Sequence, residues 1–164
     1  GCDSLEVANV TAAGNAAEQI SFAGKMRTGI VKNAIADGGT YGIRLQHDGL
    51  TNVTQSNNLC HGASVDNDAG LTCASTADPQ FVGGTAPNTA NGFRLKATSP
   101  AIRAGVYVGR RLDAEGEAFE AAPTIGALRG PSTRAEMTDT NRATMTGTNR
   151  AAGNAATGNL TRLQ

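Results

Sequence analysis

The sequence contains no tryptophan, and aromatic residues of all kinds make up only 4% of its 164 residues. Charged residues are scarce at 17%, and 14 basic residues balance 14 acidic ones, which disfavours a basic nucleic-acid surface or a polybasic membrane patch. No apolar run reaches the roughly 18 residues that a membrane-spanning helix needs. A C-x-x-C pair and the glycine-rich phosphate-binding motifs are also missing, so neither a structural zinc site nor nucleotide binding is supported.

The sequence is instead rich in glycine, with 21 residues, and in alanine, threonine and asparagine. Glycine and asparagine are costly inside helices but common in tight turns, so this composition favours many short strands over a helical bundle. The length is that of one domain. Because the chain opens inside a strand-like pattern, "GCDSLEVANV", we expect it to be a piece of a longer protein.

Residues 1–64 repeat with a period of about 24 residues. Asn9, Asn33 and Asn57 follow one another at this interval, and Val7 corresponds to Val31. Each unit holds short segments of alternating apolar residues, such as "LEVANV", "QISFAG", "TGIVKNAI" and "YGIRLQ", separated by turn sequences. Such a unit cannot bury its apolar face alone, but it can if successive units coil and each strand pairs in parallel with its equivalent one turn later.

The sequence therefore predicts an all-β fold, a parallel β-solenoid over residues 1–64. A second set of equivalent positions drifts by one residue, with Ile20 corresponding to Ile43 and Phe22 to Leu45. The loops of two to six residues are too short for the crossovers of a doubly wound sheet. We expect the repeated asparagines to have a structural role, either as a ladder of stacked, hydrogen-bonded amides or as left-handed turn residues.

The period fails after residue 64. Residues 65–130 contain strand-sized fragments ("QFVG", "FRL", "VYVG", "TIGAL") among Gly/Pro-rich loops, which is typical of a module that closes the last coil against water. Residues 131–164 are almost devoid of large apolar side chains and repeat Thr-Asn-Arg-Ala, which predicts a surface-running or disordered tail. The alternative is a segment that becomes ordered only through other chains.

The ordered motifs of residues 78–127 resemble the C-terminal closing module of right-handed parallel β-helix proteins of the pectate-lyase-like superfamily. The matching residues are Asp78, Pro79, Phe81, Phe93, Leu95, Ser99, Pro100, Ala101, Ile102, Ala104, Gly105, Ile125, Gly126 and Ala127. The resemblance covers about residues 5–130 and implies a right-handed coil. It departs from the family at Arg103, where an acid is usual, and at Leu128 and Arg129, which weakens any inherited charge pair.

The superfamily includes polysaccharide lyases and hydrolases, bacterial surface proteins and phage tail spikes or fibres, and the fold does not choose among them. Asp37, Asp48 and His47 are the catalytic candidates, because two carboxylates could approach across stacked turns with a histidine as acid or base. Arg44 and Tyr41 are the candidates for ligand binding. The competing interpretation is an ordinary solvated turn.

Cys60 and Cys73 bracket a loop that a disulfide could close, which would imply an oxidising, extracellular setting; two unpaired thiols are the alternative. "VDNDAG" at 65–70 resembles an oxygen-ligand calcium loop but lacks its remaining acids, so a plain turn is favoured and no cofactor is expected, with calcium as the alternative. His61 lacks spaced metal partners and is interpreted as a surface or edge histidine.

The sequence favours a structural or adhesive module of a phage tail fibre or spike, or of a bacterial surface protein, located outside the cell or on a virion. Its expected partners are a polysaccharide or cell-surface glycan and other chains of the same assembly, including copies of itself. The alternative is the C-terminal part of a secreted polysaccharide lyase or glycoside hydrolase whose catalytic coils lie upstream.

Overall fold

The computed structural model describes residues 2–23, 26–46, 52–63 and 73–131. These residues form six β-strands, one short 3₁₀ helix and irregular segments, so the prediction of an all-β protein is confirmed. No helix within these ranges is long and apolar enough to cross a membrane. The strands are β1 (Cys2–Ala13), β2 (Glu18–Ala23), β3 (Met26–Asp37), β4 (Tyr41–Gln46), β5 (Asn52–Ser56) and β6 (Leu59–His61), and the 3₁₀ helix is Ala90–Phe93.

The strands form two small sheets in which every pairing is parallel. The larger sheet has the order β1-β3-β5, with β6 also paired to β3, and the smaller sheet joins β2 to β4. Val7 pairs with Val31 and Ile20 with Ile43, as the repeat predicts. The further step to a solenoid stays a prediction, because the sheets contain only four and two strands.

Strand β3 contributes to two separate hydrophobic clusters, one on each of its sides, and its alternation changes phase at Asn33. This residue has a left-handed backbone (φ 54°), which inserts one irregular step into the strand. Val31 before it and Ala34 after it therefore point to the same side. The first cluster lies between the two sheets and consists of Phe22, Val31, Ala34, Ala36, Ile43 and Cys60.

The second cluster covers the opposite side of the larger sheet and is built mostly from the C-terminal segment. Ile35 and Leu59 of the sheet pack with Phe81, Leu95, Ala101 and Ile125, all at most 5% exposed. In the described part of residues 65–130 the strand-sized fragments form only isolated bridges such as Phe81–Leu95, so this segment is irregular. Its chain approaches the sheet closely at Gly126, where a Cβ would lie 2.6 Å from the Thr11 hydroxyl.

The acidic stretch of residues 113–120 forms a loop held by ion pairs and by one carboxylate. Asp113 accepts hydrogen bonds from three backbone N–H groups, and Arg94 pairs with Glu115. Arg103 and Glu120 form an exposed pair at 2.8 Å, and the Glu120 carboxylate raises the pKa of the Arg103 guanidinium through its hydrogen bond and its charge. These exposed pairs order the surface of the loop and contribute little to stability individually.

Candidate functional site

A buried carboxylate and a half-exposed imidazole meet at the end of the larger sheet. Asp37 is the last residue of β3 and His61 the last residue of β6, and the parallel register places them opposite one another. The Nδ1 atom of His61 lies 2.7 Å from Oδ1 of Asp37. The Asp37 side chain is 4% exposed and the His61 side chain 36% exposed, so the imidazole stands between the carboxylate and solvent.

This pair lies in a small cleft of about 90 Å³, where the sheet meets the C-terminal segment. Such a cleft is smaller than a usual ligand pocket, so it accepts a small polar group rather than a whole polymer chain. Polar and charged side chains dominate its wall, and the lining residues are Asp37, His61, Asp78, Gln80, Phe81, Gly84, Thr85 and Lys96.

The Asp37–His61 contact fixes the chemistry of the imidazole. When the carboxylate is ionised it only accepts hydrogen bonds, and Nδ1 of His61 is then the donor in this contact. The Nε2 atom is then the ring nitrogen that is left to accept a proton from a ligand or, when the ring is protonated, to donate one. The arrangement is that of an oriented acid–base group, and it also suits simple hydrogen bonding to a hydroxyl.

The predicted catalytic trio is only partly described by the structure. Asp37 lies in the cleft, whereas His47 and Asp48 lie outside the described residues. Sequence reasoning missed His61, which was interpreted as a surface or edge histidine. The missed signal is the repeat itself, because Asp37 and His61 are 24 residues apart and stack for the same reason as the asparagines do.

The predicted binding residues Arg44 and Tyr41 contact each other on β4 instead of facing an open site. The Arg44 guanidinium carbon lies 4.4 Å from the centre of the Tyr41 ring, a cation–π geometry. Arg44 also forms an ion pair at 2.5 Å with Glu18 of the neighbouring strand β2. This cluster ties β2 to β4, and it covers one face of the tyrosine ring that a ligand would otherwise use.

The three repeated asparagines form a column in which each residue has a left-handed backbone, with φ of 53–54°. Within it, Nδ2 of Asn33 donates to Oδ1 of Asn9 at 2.8 Å. Both predicted roles, the amide ladder and the left-handed turn, thus describe this part of the column. Asn33 is fully buried, so its amide needs partners on every side.

An extended segment, residues 104–108, runs along the asparagine column and is called the clasp here. Val106 exchanges two hydrogen bonds with Asn33: its carbonyl accepts from Nδ2 at 2.6 Å and its N–H donates to Oδ1 at 2.9 Å. One repeat further along the sequence, Nδ2 of Asn57 donates to the carbonyl of Ala104 at 2.8 Å. The clasp therefore takes the place that a continuous Asn33–Asn57 ladder would occupy.

The side chain of Asn58 hydrogen-bonds backbone groups of β3 at the point where the left-handed residues interrupt strand pairing. The register between β3 and its partners β5 and β6 skips residues 33 and 34. Oδ1 of Asn58 accepts from the N–H of Ala34, and its Nδ2 donates to the carbonyl of Val31, both at 3.0 Å. The side chain is 1% exposed and thus replaces two ladder hydrogen bonds in the interior.

Cys60 and Cys73 are joined in a disulfide, with Cα atoms 5.8 Å apart. The bond ties the last strand of the larger sheet to the start of the C-terminal segment. Residues 64–72, including the acidic stretch at 65–70, lie outside the described residues. In the part of the chain that the structure describes, no three His, Cys, Asp or Glu side chains are grouped to hold a metal ion.

No protein-family model matches the sequence, and neither a curated protein nor a solved structure is significantly similar to it. The functional evidence is therefore the geometry of the chain itself. Two features stand out: the stacked units with their asparagine column, and the cleft that contains Asp37 and His61.

Proposed function

We propose that the chain forms the C-terminal end of a right-handed parallel β-helix and that its function is structural and adhesive. In this proposal it belongs to a phage tail fibre or spike or to a bacterial surface protein. The observation that carries the proposal is the constant step between paired strands, which is 24 residues in the larger sheet and 23 in the smaller one.

A constant step supports a coil because the strands from β1 to β5 alternate between the two sheets, and β6 continues the larger sheet beside β5. β1, β3 and β5 belong to the larger sheet, and β2 and β4, which lie between them in the chain, belong to the smaller one. A chain that visits two sheets alternately and always advances by one strand winds around a common core. The right hand of the coil follows from the general preference of parallel crossovers and from the family resemblance.

The C-terminal segment suits the closing of such a coil. The second hydrophobic cluster covers Ile35 and Leu59 of the sheet, and the clasp binds the asparagine column. The motifs that resemble the pectate-lyase-like closing module supply most of these contacts. The disulfide fits an extracellular or virion-surface location.

Glycan contact is assigned to the cleft around Asp37 and His61. Its carboxylate, imidazole, amide and ammonium groups can each hydrogen-bond a sugar hydroxyl. A glycan array probed with the whole chain tests this part of the proposal. We expect binding that His61→Ala weakens and that Arg111→Ala, a change at an exposed residue outside the cleft, leaves unaltered; equal binding by both variants would contradict the assignment.

Resistance to proteolysis tests the structural part. A closed coil with a covered end leaves few extended segments that a protease can bind, so the described ranges 2–23, 26–46, 52–63 and 73–131 should survive a protease concentration that degrades an unfolded chain within minutes. Mass spectrometry of the digest identifies the surviving fragment. Cleavage within β1, β3 or β5 at the rate of the reduced, urea-unfolded chain would contradict a closed rod end. Association of residues 131–164 with other chains belongs to the same proposal.

The second candidate function is a polysaccharide lyase or glycoside hydrolase, and the Asp37–His61 pair favours it. An imidazole oriented by a buried carboxylate can transfer protons, and Asp78 provides a second carboxylate in the cleft wall. Release of reducing or unsaturated ends from polysaccharides, compared between the parent chain and His61→Gln, tests this function. Activity that His61→Gln abolishes without loss of the fold would establish the enzyme and displace the structural proposal.

A further inference from the structure

Strand β1 is paired along one edge only within the described ranges. Ten of its residues are in register with β3, between Cys2 and Ala13, and no described strand pairs with its other edge. A parallel strand carries N–H and C=O groups on both edges, so a row of these groups faces away from β3. This outer edge is the feature from which the inference starts.

The asparagine column is also incomplete at β1. Oδ1 of Asn9 accepts the hydrogen bond from Asn33, but Nδ2 of Asn9 is buried and has no hydrogen-bond partner in the described part of the chain. A buried donor without a partner is rare in folded proteins. Since Asn33 donates to the asparagine of the preceding unit, the same geometry aims Nδ2 of Asn9 at an acceptor on the far side of β1.

The clasp does not provide that acceptor. It follows the column at a step of two residues, with Ala104 bound to Asn57 and Val106 bound to Asn33. At the same step of two residues, Val108 would be the residue that hydrogen-bonds Asn9. The chain turns at Gly109 instead, where φ is +78°.

The departure of the clasp leaves two open spaces beside β1. One of about 230 Å³ lies between Glu6, Ala8 and residues 108–110, and one of about 160 Å³ adjoins Asn9 and Leu112. Leu112 is 57% exposed and Leu5 of the strand is 37% exposed. An unpaired edge, an unsatisfied amide and exposed leucines thus occur together at one end of the sheet.

We propose that the outer edge of β1 binds one more parallel β-strand, the strand of a further coil of the same 24-residue repeat, with an asparagine opposite Asn9. That asparagine would accept from Nδ2 of Asn9 as Asn9 accepts from Asn33. The occupant is inferred from the register, because β1, β3 and β5 already stack at this step. The inference rests on the proposed coil and adds the site and the chemistry of its continuation.

The test is a chain in which a copy of residues 2–25, with its cysteine changed to serine, precedes Cys2. The copied asparagine then stands 24 residues before Asn9. Backbone hydrogen exchange, followed residue by residue by NMR, compares the extended and parent chains. We expect the β1 amides that face away from β3 to exchange at least about tenfold more slowly in the extended chain, because they gain strand partners.

The matched control is the same extension with its copied asparagine changed to alanine. In this control the outward β1 amides should exchange about three- to tenfold faster than in the extended chain with asparagine, which is the effect of one hydrogen bond. When Asn9 is also changed to alanine, the two extensions should give equal exchange rates. Unchanged exchange of the outward amides in the extended chain would overturn the proposal. So would outward amides that are protected in the parent chain, since another segment, or a second copy if protection rises with protein concentration, would then hold the edge.

Failure of the proposed coil gives a different result in the same spectra. In that case the β1 amides that pair with β3 would exchange freely in the parent chain. That result would remove the coil and this inference together. If the β1 amides that pair with β3 are protected but the extension does not slow exchange of the amides that face away, only this inference is refuted.

Discussion

Replacing Asn33 tests the asparagine column most directly. Asn33 is 0% exposed, has a left-handed backbone, and takes part in three hydrogen bonds. Asn33→Ala removes all three and leaves an acceptor on Asn9 and both backbone groups of Val106 without this partner. It also places alanine in a conformation that asparagine tolerates far better.

The expected loss of unfolding free energy is about 4 kcal/mol. Each group that loses its partner costs about 1 kcal/mol at the lower end of the usual range, which applies because Asn9 and Val106 are only partly buried. The left-handed alanine adds about 1 kcal/mol. Asn33→Gly keeps the backbone freedom and should therefore lose about 1 kcal/mol less than Asn33→Ala.

Asn57→Ala is the matched control because Asn57 has the same backbone angle, with φ of 53°, and donates one hydrogen bond to the clasp. It should lose only about 2 kcal/mol, from one hydrogen bond and one strained alanine. Urea unfolding with the disulfide intact, followed by far-ultraviolet circular dichroism because the chain has no tryptophan, measures both. A loss below about 1 kcal/mol for Asn33→Ala, or an equal loss for both variants, would refute the reasoning.

Three further changes test the C-terminal segment. Gly126→Ala should cost about 3 kcal/mol in the same urea assay, because its methyl group would lie 2.6 Å from the Thr11 hydroxyl oxygen. Gly116→Ala, where φ is also positive but no atom lies nearby, should cost about 1 kcal/mol. Similar losses for the two variants would contradict the close approach at Gly126. Replacing Cys60 and Cys73 together by serine should cost about 3 kcal/mol, and reduction of the parent chain should reproduce that loss. Asp113→Ala removes an acceptor for three backbone amides and should speed proteolysis of residues 113–129, while Asp113→Asn should retain part of the protection; equal rates would argue against a role of this carboxylate.

The repeated part of the chain was predictable because its information is local and periodic. Equivalent residues such as Val7 and Val31 lie in similar sequences, and a constant step between similar sequences specifies a parallel register. The same 24-residue step predicts the stacking of Asp37 on His61. The contact between Asp37 and His61 could therefore be predicted from the repeat. The burial of the Asp37 carboxylate could not.

The sequence distinguished the C-terminal segment from the repeated part by its loss of period, but it did not predict the contacts of that segment. Fragments that read as strands there are irregular, because their partners are single residues far away in the sequence. Val106 meets Asn33 across 73 positions, and Ala127 donates to the Thr11 hydroxyl across 116. No period marks such contacts.

The division between the two kinds of contact has a physical cause. Strand pairing in the repeated units depends on neighbours that share one pattern, so reading the pattern once predicts every step. The clasp, the second hydrophobic cluster and the unsatisfied amide of Asn9 depend on which surfaces are left uncovered after the two sheets have formed. Those surfaces exist only in the folded chain, and their contacts are therefore decided by the tertiary structure.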